Sequence, residues 1–329
     1  MNPEIKVSIL LSTYNSERYL KEQLSSIINQ TYADWNLLIR DDGSTDSTLE
    51  IIKSFNELRF KVLEVGPNLG TIRSFSRLLE LDTDSDYFFF CDHDDIWNEK
   101  KVEYQLLEMI KIEKEKGSDY PILIHSDLTL VDENNTIIAD SMWSYGKFFP
   151  HRKSVPQLIV QGTVTGCTII GNRALHSKIF PIPNTVLMHD WWASIIASLF
   201  GCIISENKTT IFYRLHSTNQ IGTQKSSILQ TWNRITKPDK FIKYFYGTFM
   251  QAEEVYNRFQ INLNKQQKEI FLVYINLLDY SRFKRIYLAL KYGFVRSTYY
   301  RNILYYIVLF FASKKKLDER RDYLKSQGK

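Results

Sequence analysis

The chain has little cysteine, three residues in 329. Cys91, Cys167 and Cys202 are odd in number and far apart, with neither Cys-x-x-Cys spacing nor histidines at zinc-site distances, so they point to a reduced, cytosolic compartment. Long hydrophobic runs are also missing. The N-terminal apolar run ends at Ser12, too short and too weakly flanked for a secretion signal. The longest C-terminal one, residues 303–312, is half of the roughly 20 residues a spanning helix needs. No Gly-x-Gly-x-x-Gly follows the first apolar run, and no Gly-x-x-x-x-Gly-Lys-Ser/Thr occurs anywhere. Dinucleotide dehydrogenases and P-loop enzymes therefore lose their main support.

What is present is the balance of a globular protein: 44% hydrophobic and 24% charged residues, enough for a sizeable core. The length suits one large domain with an appendage. A net charge of +5 conceals an asymmetry, because residues 280–329 hold 13 Lys or Arg against 3 Asp or Glu. The tail is basic and the body acidic.

Residues 6–12 form a β-branched and apolar run of the kind found in strands buried on both faces. A helix follows, with Ser16 as N-cap and Leu20, Leu24, Ile27 and Ile28 on one face. The pattern repeats, with strands at 35–40, 60–65 and 87–91. Helices are expected after Thr45 or Asp46, carrying Leu49, Ile52 and Phe55, and over 70–81 and 98–116. This alternation predicts an α/β fold with right-handed crossovers and a mostly parallel sheet flanked by helices. Ligands of such open sheets lie at the carboxyl ends of the strands, and the polar runs 12–15, 41–44 and 92–95 all fall there. Further strands are expected at 122–125, 129–131, 167–171 and 209–214. Beyond about 224 the chain reads as helical, with amphipathic stretches at 241–259 and 265–280 and then a basic-aromatic region.

Several constellations could carry chemistry. Asp92, Asp94 and Asp95 follow the aromatic strand Tyr87-Phe88-Phe89-Phe90, and their mutual repulsion calls for a cation. Hard divalent ions such as Mg²⁺ or Mn²⁺ share carboxylates with substrate phosphates, although a helix-capping acidic turn is the alternative. Asp41-Asp42-Gly43-Ser44 suits a base N–H or a ribose hydroxyl, or is an ordinary turn. His189-Asp190-Trp191-Trp192 opens a helix through 200, placing a carboxylate beside two rings on which sugar faces could stack. Asp190 could act as a general base, or merely answer the helix dipole. Arg214 and His216, in Tyr213-Arg214-Leu215-His216-Ser217-Thr218-Asn219-Gln220-Ile221-Gly222, could neutralise a diphosphate or be solvated loop residues.

Taken in order, Val7-Ser8-Ile9-Leu10-Leu11-Ser12-Thr13-Tyr14-Asn15, Gln30-Thr31-Tyr32, Asp41-Asp42-Gly43-Ser44-Thr45-Asp46, Asn68-Leu69-Gly70 and Asp92-His93-Asp94-Asp95-Ile96-Trp97 resemble family 2 of the glycosyltransferases, which has the GT-A fold. The match covers about residues 5–225. With the later His-Asp-Trp-Trp and Tyr-Arg-x-His segments, it most resembles bacterial rhamnosyltransferases of rhamnose-polysaccharide assembly. The resemblance implies a catalytic domain over 1–225, with a donor half at 1–119 and an acceptor half at 120–225, and a C-terminal helical region over 226–329. It implies that Ser12, Thr13, Tyr14, Asn15, Asp42, Arg73, Asp92, His93 and Arg214 bind the nucleotide-sugar. Asp94, with His216 as a second candidate, would hold Mn²⁺ or Mg²⁺, and Asp190 would be the catalytic base, although the family's usual Glu-Asp pair is His-Asp here. Trp191, Trp192, Gly166 and Thr165 are candidates for acceptor contact.

The implied reaction is an inverting transfer from a nucleotide-diphospho-sugar, dTDP-β-L-rhamnose in the narrower resemblance, onto a glycan or lipid-linked glycan. The alternatives are a UDP-hexose donor, or a silent nucleotide-sugar-binding or scaffold protein of the same fold. The basic-aromatic tail suits peripheral attachment to the cytoplasmic membrane surface, or a helical cap on the catalytic domain or on a second subunit in a homodimer. No nucleic-acid-binding module is recognised.

Overall fold

The computed structural model describes residues 5–216 and 238–326. Strands β1 (Val7–Thr13), β2 (Trp35–Asp41), β3 (Phe60–Val65) and β4 (Tyr87–Cys91) lie where the apolar runs predict them. They pair in the order β3-β2-β1-β4, all parallel. Helices α1 (Leu20–Ile28), α2 (Thr48–Ser54) and α3 (Thr71–Leu81) are the crossovers. The central strands lack polar alternation because both faces are covered. Ile9, Leu11 and Phe89 face one core, while Leu10, Phe88 and Phe90 face the other.

Ser16 does not cap α1 with its side chain. Its carbonyl takes the N–H groups of Tyr19 and Leu20, while its hydroxyl accepts the Tyr14 N–H at 3.0 Å. Ser47 holds the N-cap position of α2 rather than Thr45 or Asp46, although Asp46 Oδ1 accepts the N–H of the first helical residue, Thr48, at 3.1 Å. Residues 96–97, for which no element is expected, form the short strand β5 (Ile96–Trp97), and α4 (Lys101–Lys116) starts three residues later than the expected 98.

The second half is mixed. It contains β6 (Ile122–Val131), β7 (Ile137–Ala139), β8 (Ile169–Asn172) and β9 (Cys202–Arg214), with α5 (Met142–Gly146), α6 (Val155–Val160), α7 (Arg173–Ile179) and α8 (His189–Phe200). β8 runs antiparallel between β4 and β6, and β9 is parallel to β6. The two short strands expected at 122–131 are one strand. Its polar middle is tolerated because Ser126 bonds Thr210 across the sheet at 2.6 Å and Asp127 accepts the N–H groups of Leu128 and Trp143. β9 likewise begins seven residues earlier than expected, paired along β6 through a register shift. Residues 166–168 form a 3₁₀ turn rather than strand, because the Thr165 carbonyl takes both the N–H and the hydroxyl of Thr168.

The C-terminal region contains α9 (Pro238–Phe259), α10 (Lys265–Ile275), α11 (Arg282–Tyr292), α12 (Tyr299–Phe311) and α13 (Lys314–Ser326). The expected boundary at 225 lies outside the described residues. The described parts on either side share one hydrophobic core, in which Trp192 and Ile196 of α8 join Phe245, Phe249 and Val255 of α9, and Leu288 and Leu309 further on. Among the described residues no helix is long and apolar enough to cross a membrane.

Phe249 is fully buried and stacked on Tyr274 at 4.7 Å. Phe249→Ala should therefore cost about 3–5 kcal/mol in urea denaturation, with catalytic-domain and tail probes melting together. Separate transitions would contradict the shared core.

Candidate active site

The strand register brings the polar runs together. Thr13 pairs with Asp41 across β1 and β2, and Leu11 with Cys91 across β1 and β4, so the segments that follow all leave the same sheet edge. Two of these loops are laced to each other. Asn15, at φ 46°, donates its N–H to Ser44 Oγ at 2.9 Å and accepts the Thr45 N–H at 2.9 Å. Thr13 donates to Asp41 Oδ1 at 2.8 Å, and Asp41 also accepts the Ser44 N–H. Gly43, at φ +84°, turns where a Cβ would meet the Gly66 carbonyl at 2.9 Å. Tyr14 is 46% exposed at the rim, with its ring open for stacking.

Asp42 is expected to meet a base or ribose, yet here its carboxylate is buried and occupied. It accepts from the Arg40 guanidinium and from the N–H groups of Leu69 and Gly70 at 2.7 and 2.8 Å. Arg40, fully enclosed, also reaches Glu64 Oε1 at 3.0 Å, the Pro67 carbonyl at 3.2 Å and Ser74 Oγ at 3.1 Å. Ser74 in turn bonds Ser12 Oγ at 2.7 Å. A buried ion pair thus ties β2 to the 67–70 loop and to α3. Arg73 is half-buried in the first turn of α3 and forms no ion pair among the described residues.

The acidic turn after β4 separates into distinct environments. Asp94 is buried and accepts from His216 Nε2 at 2.8 Å. Burial pushes its carboxyl up, but the His216 hydrogen bond and the neighbouring histidines hold it below the ordinary range. Asp92 is raised to about 7 by burial, then by the charges of Asp94 and Asp190. Asp95, wholly enclosed, is raised further by burial, then by Asp94 and Asp92, and its Oδ2 has no hydrogen-bond partner. His93 is half-buried between them.

Two sets of groups could hold a divalent cation. Ligand atoms of Asp92, Asp95 and Cys167 lie within 4.8 Å of one another. Burial holds the Cys167 thiol protonated, however, and a thiol suits a hard cation poorly. Asp94, kept anionic and paired with the imidazole of His216, has the better chemistry. Three of the four carboxyl groups are raised, chiefly by burial and for Asp92 and Asp95 also by their neighbours' charge, and such a cluster fits a divalent cation.

Asp190 lies in the first turn of α8. Its Oδ2 accepts the Gly166 N–H at 2.9 Å, and its Oδ1 accepts the Trp191 N–H at 2.6 Å. Burial raises the carboxyl to about 6 against these two donors. Gly166 therefore orients Asp190 through its backbone, beside the half-buried Thr165. His189 is buried and stacked on Phe75 at 4.2 Å, and burial lowers it to about 3, so it is a neutral ring.

Some expectations need correction. Trp192 offers no face to a sugar: it is fully enclosed, with its indole N–H donated to the Ile179 carbonyl at 2.9 Å. Trp191 is nearly as enclosed and donates to the Leu158 carbonyl at 2.5 Å. Both indoles belong to the core that fixes α8. The Arg214 guanidinium is ion-paired with Glu22 at 2.7 Å, bonded to Asn135 at 2.9 Å and laid over Tyr19 at 4.3 Å. Tyr19 also packs on His216, 5.0 Å between ring centres. The rest of that motif, including Asn219 and Gly222, lies outside the described residues. The sequence assigns no site role to Arg40 or Tyr19, and marks Cys167 only as a reduced thiol, not as a neighbour of Asp92 and Asp95. A charge inside the apolar run of β2 was the one signal available for Arg40.

Residues 8–180 match the family model described as glycosyl transferase family 2. The chain belongs to glycosyl transferase family 2. The dTDP-rhamnosyl transferase RfbG of Shigella flexneri is 29% identical over 233 residues, covering 66% of this chain and 75% of that one. The UDP-Glc:alpha-D-GlcNAc-diphosphoundecaprenol beta-1,3-glucosyltransferase WfgD of Escherichia coli is 29% identical over 234 residues, covering 69% and 84%. Among solved structures, S. aureus TarS 1–349 in complex with UDP superposes with a TM-score of 0.54 at 20% identity, over 86% of this chain and 75% of that one. The fold of this family 2 member is thus GT-A, as the sequence led us to expect.

The Arg40–Asp42 pair gives a stability test. Arg40→Leu leaves a buried, uncompensated carboxylate and should cost about 3–5 kcal/mol, whereas Arg40→Leu with Asp42→Leu should recover most of that loss. Chemical denaturation of the four proteins measures the coupling, and additive losses would show that the pair acts as two independent residues.

Proposed function

We propose that this family 2 glycosyltransferase transfers L-rhamnose, with inversion, from dTDP-β-L-rhamnose to a hydroxyl of a growing lipid-linked bacterial surface glycan. The observation that carries the reading is Asp190. It is a carboxylate oriented by two backbone N–H groups, raised to about 6 by burial, and close enough to Asp92 for its charge to be felt there. A base matched to near-neutral pH, beside an acidic turn that calls for a cation, is what acceptor activation requires.

Asp190 accepts the proton of the acceptor hydroxyl as the oxygen bonds to the anomeric carbon. The bond from that carbon to the diphosphate breaks on the opposite face, and the nucleoside diphosphate leaves with the electron pair. Asp94 and His216 would hold Mn²⁺ or Mg²⁺, which supplies positive charge for the departing diphosphate. Tyr14 and the 12–15 and 67–70 loops would frame the nucleoside, with Asp42 acting through the loop it anchors. Arg73 and His93 are assigned to the donor phosphates and sugar. Arg214 is assigned a positioning part, through its contacts with Tyr19 and Glu22.

Similarity to RfbG supports rhamnose and similarity to WfgD supports a lipid-linked acceptor, while the latter's UDP-glucose donor keeps a UDP-hexose as the second reading. A lipid-linked acceptor places the work at the inner face of the plasma membrane, which the basic tail suits.

Nucleoside diphosphate release should be measured across dTDP-, UDP- and GDP-sugars in the presence of Mn²⁺. Turnover should be greatest with dTDP-β-L-rhamnose, and proton NMR should show an α-L-rhamnoside. Release from no donor would sink the reading. Asp190→Asn should lower kcat by about 10²–10⁴-fold with donor binding little changed, and an active variant would remove Asp190 as base. Because the carboxyl is raised to about 6 and works ionised, wild-type kcat/KM should fall as pH drops through about 6, near tenfold per unit below it. A flat profile from pH 7 to 5 would contradict the assignment.

A further inference from the structure

The helices α11 and α12 have two faces of opposite character. Leu288, Ala289, Tyr305 and Leu309 point inward to the shared core. Outward, Phe283, Tyr287 and Leu290 recur at i, i+4 and i+7 on α11, and Ile303, Ile307 and Phe311 at i, i+4 and i+8 on α12, all exposed at 40% or more. Spacings of this kind keep each trio on one side of its helix. The faces adjoin, since Phe283 of α11 meets Phe310 of α12 edge-on at 5.4 Å, and Phe310 meets Phe311 at 5.1 Å.

The pair is a fixed platform rather than a loose tail. Arg285 donates to the carbonyls of Leu278 (2.8 Å), Tyr280 (2.9 Å), Leu309 (3.3 Å) and Ala312 (2.7 Å), clamping the start of α11 to the end of α12. Exposed cations rim the apolar face. Arg282 lies over Phe310 and Phe311 at 5.7 and 5.9 Å, Lys284, Lys291 and Lys316 are exposed, and Lys315 is exposed with Glu319 3.9 Å away. Between Asp279 and Asp318 there is no acidic residue.

We infer that this face docks on an anionic phospholipid bilayer, the aromatic and aliphatic side chains entering the headgroup boundary and the Arg and Lys rim meeting lipid phosphates. The excess of positive charge, 13 Lys or Arg against 3 Asp or Glu over residues 280–329, decides the occupant. A second copy would bring one basic rim against another, whereas an anionic surface complements it. The helices are too short to span: 13 residues of α12 rise about 20 Å against a hydrocarbon core of about 30 Å. The inference refines the peripheral location proposed above and is independent of the transfer chemistry.

The test uses the full chain, because deleting α11–α13 would uncover the core. Co-sedimentation is measured with vesicles of phosphatidylcholine alone and of phosphatidylcholine with about 30% phosphatidylglycerol. Wild type should bind the anionic vesicles, lose that binding as salt rises, and ignore the neutral ones. Phe283→Ser/Ile307→Ser/Phe311→Ser and Lys284→Gln/Lys291→Gln/Lys315→Gln should each weaken binding by about tenfold or more. Both variants should melt at the wild-type temperature and release nucleoside diphosphate in solution at the wild-type rate. Equal binding to both vesicle types, undiminished binding by the serine variant, or a dimer that the serine variant breaks while vesicles go unbound would each overturn the inference.

Discussion

The crowding of four carboxyl groups away from water is the constraint on which the site depends. Asp92, Asp94 and Asp95 leave the end of β4 together, and Asp190 approaches from α8. Two ionised carboxylates about 5 Å apart repel by about 3 kcal/mol at an effective dielectric constant near 20. Burial is the larger cause of the upward shifts of Asp92, Asp95 and Asp190. The protein answers in two ways. Asp94 stays anionic on the hydrogen bond from His216, whereas burial, and then the neighbouring carboxylates, drive Asp92 and Asp95 upward. A divalent cation held there would lower the cost of ionisation at the place where a leaving group must be stabilised.

Holding such groups still takes support from far along the chain. Arg40 and Asp42 fasten β2 to the 67–70 loop and α3, and Ser74 extends the link to Ser12. On the other side, the two tryptophans of α8 are locked by carbonyls of residues 158 and 179, and α9 packs behind them. Helix α8 therefore carries Asp190 on a rigid base. The C-terminal helices are part of this support, and their outward face is left for another surface.

The first four strands were legible because they are apolar runs that end in polar turns, so a parallel sheet with a polar edge follows from the pattern, whereas the order β3-β2-β1-β4 came from the structure. The second half was less so. Ser126 and Asp127 interrupt the apolar run of β6, and only their cross-strand and turn partners, far away in sequence, explain how the strand continues. The occupation of Asp42 by Arg40 and by two backbone N–H groups depends on a loop 27 residues away, which no local pattern reveals. Trp192 shows the converse: its position beside Asp190 suggested a sugar platform, but helix geometry turns adjacent residues to different sides, and its side chain went to the core. In the tail, amphipathicity was readable from spacing, while which face turned inward was not.

Calorimetric titration of a nucleoside diphosphate, dTDP or UDP, with and without Mn²⁺, into wild type and Asp94→Asn tests most directly whether the carboxyl cluster is a cation and diphosphate site. The account predicts binding that requires the metal and is lost in the variant. Equal affinity without metal, or an unchanged variant, would contradict it.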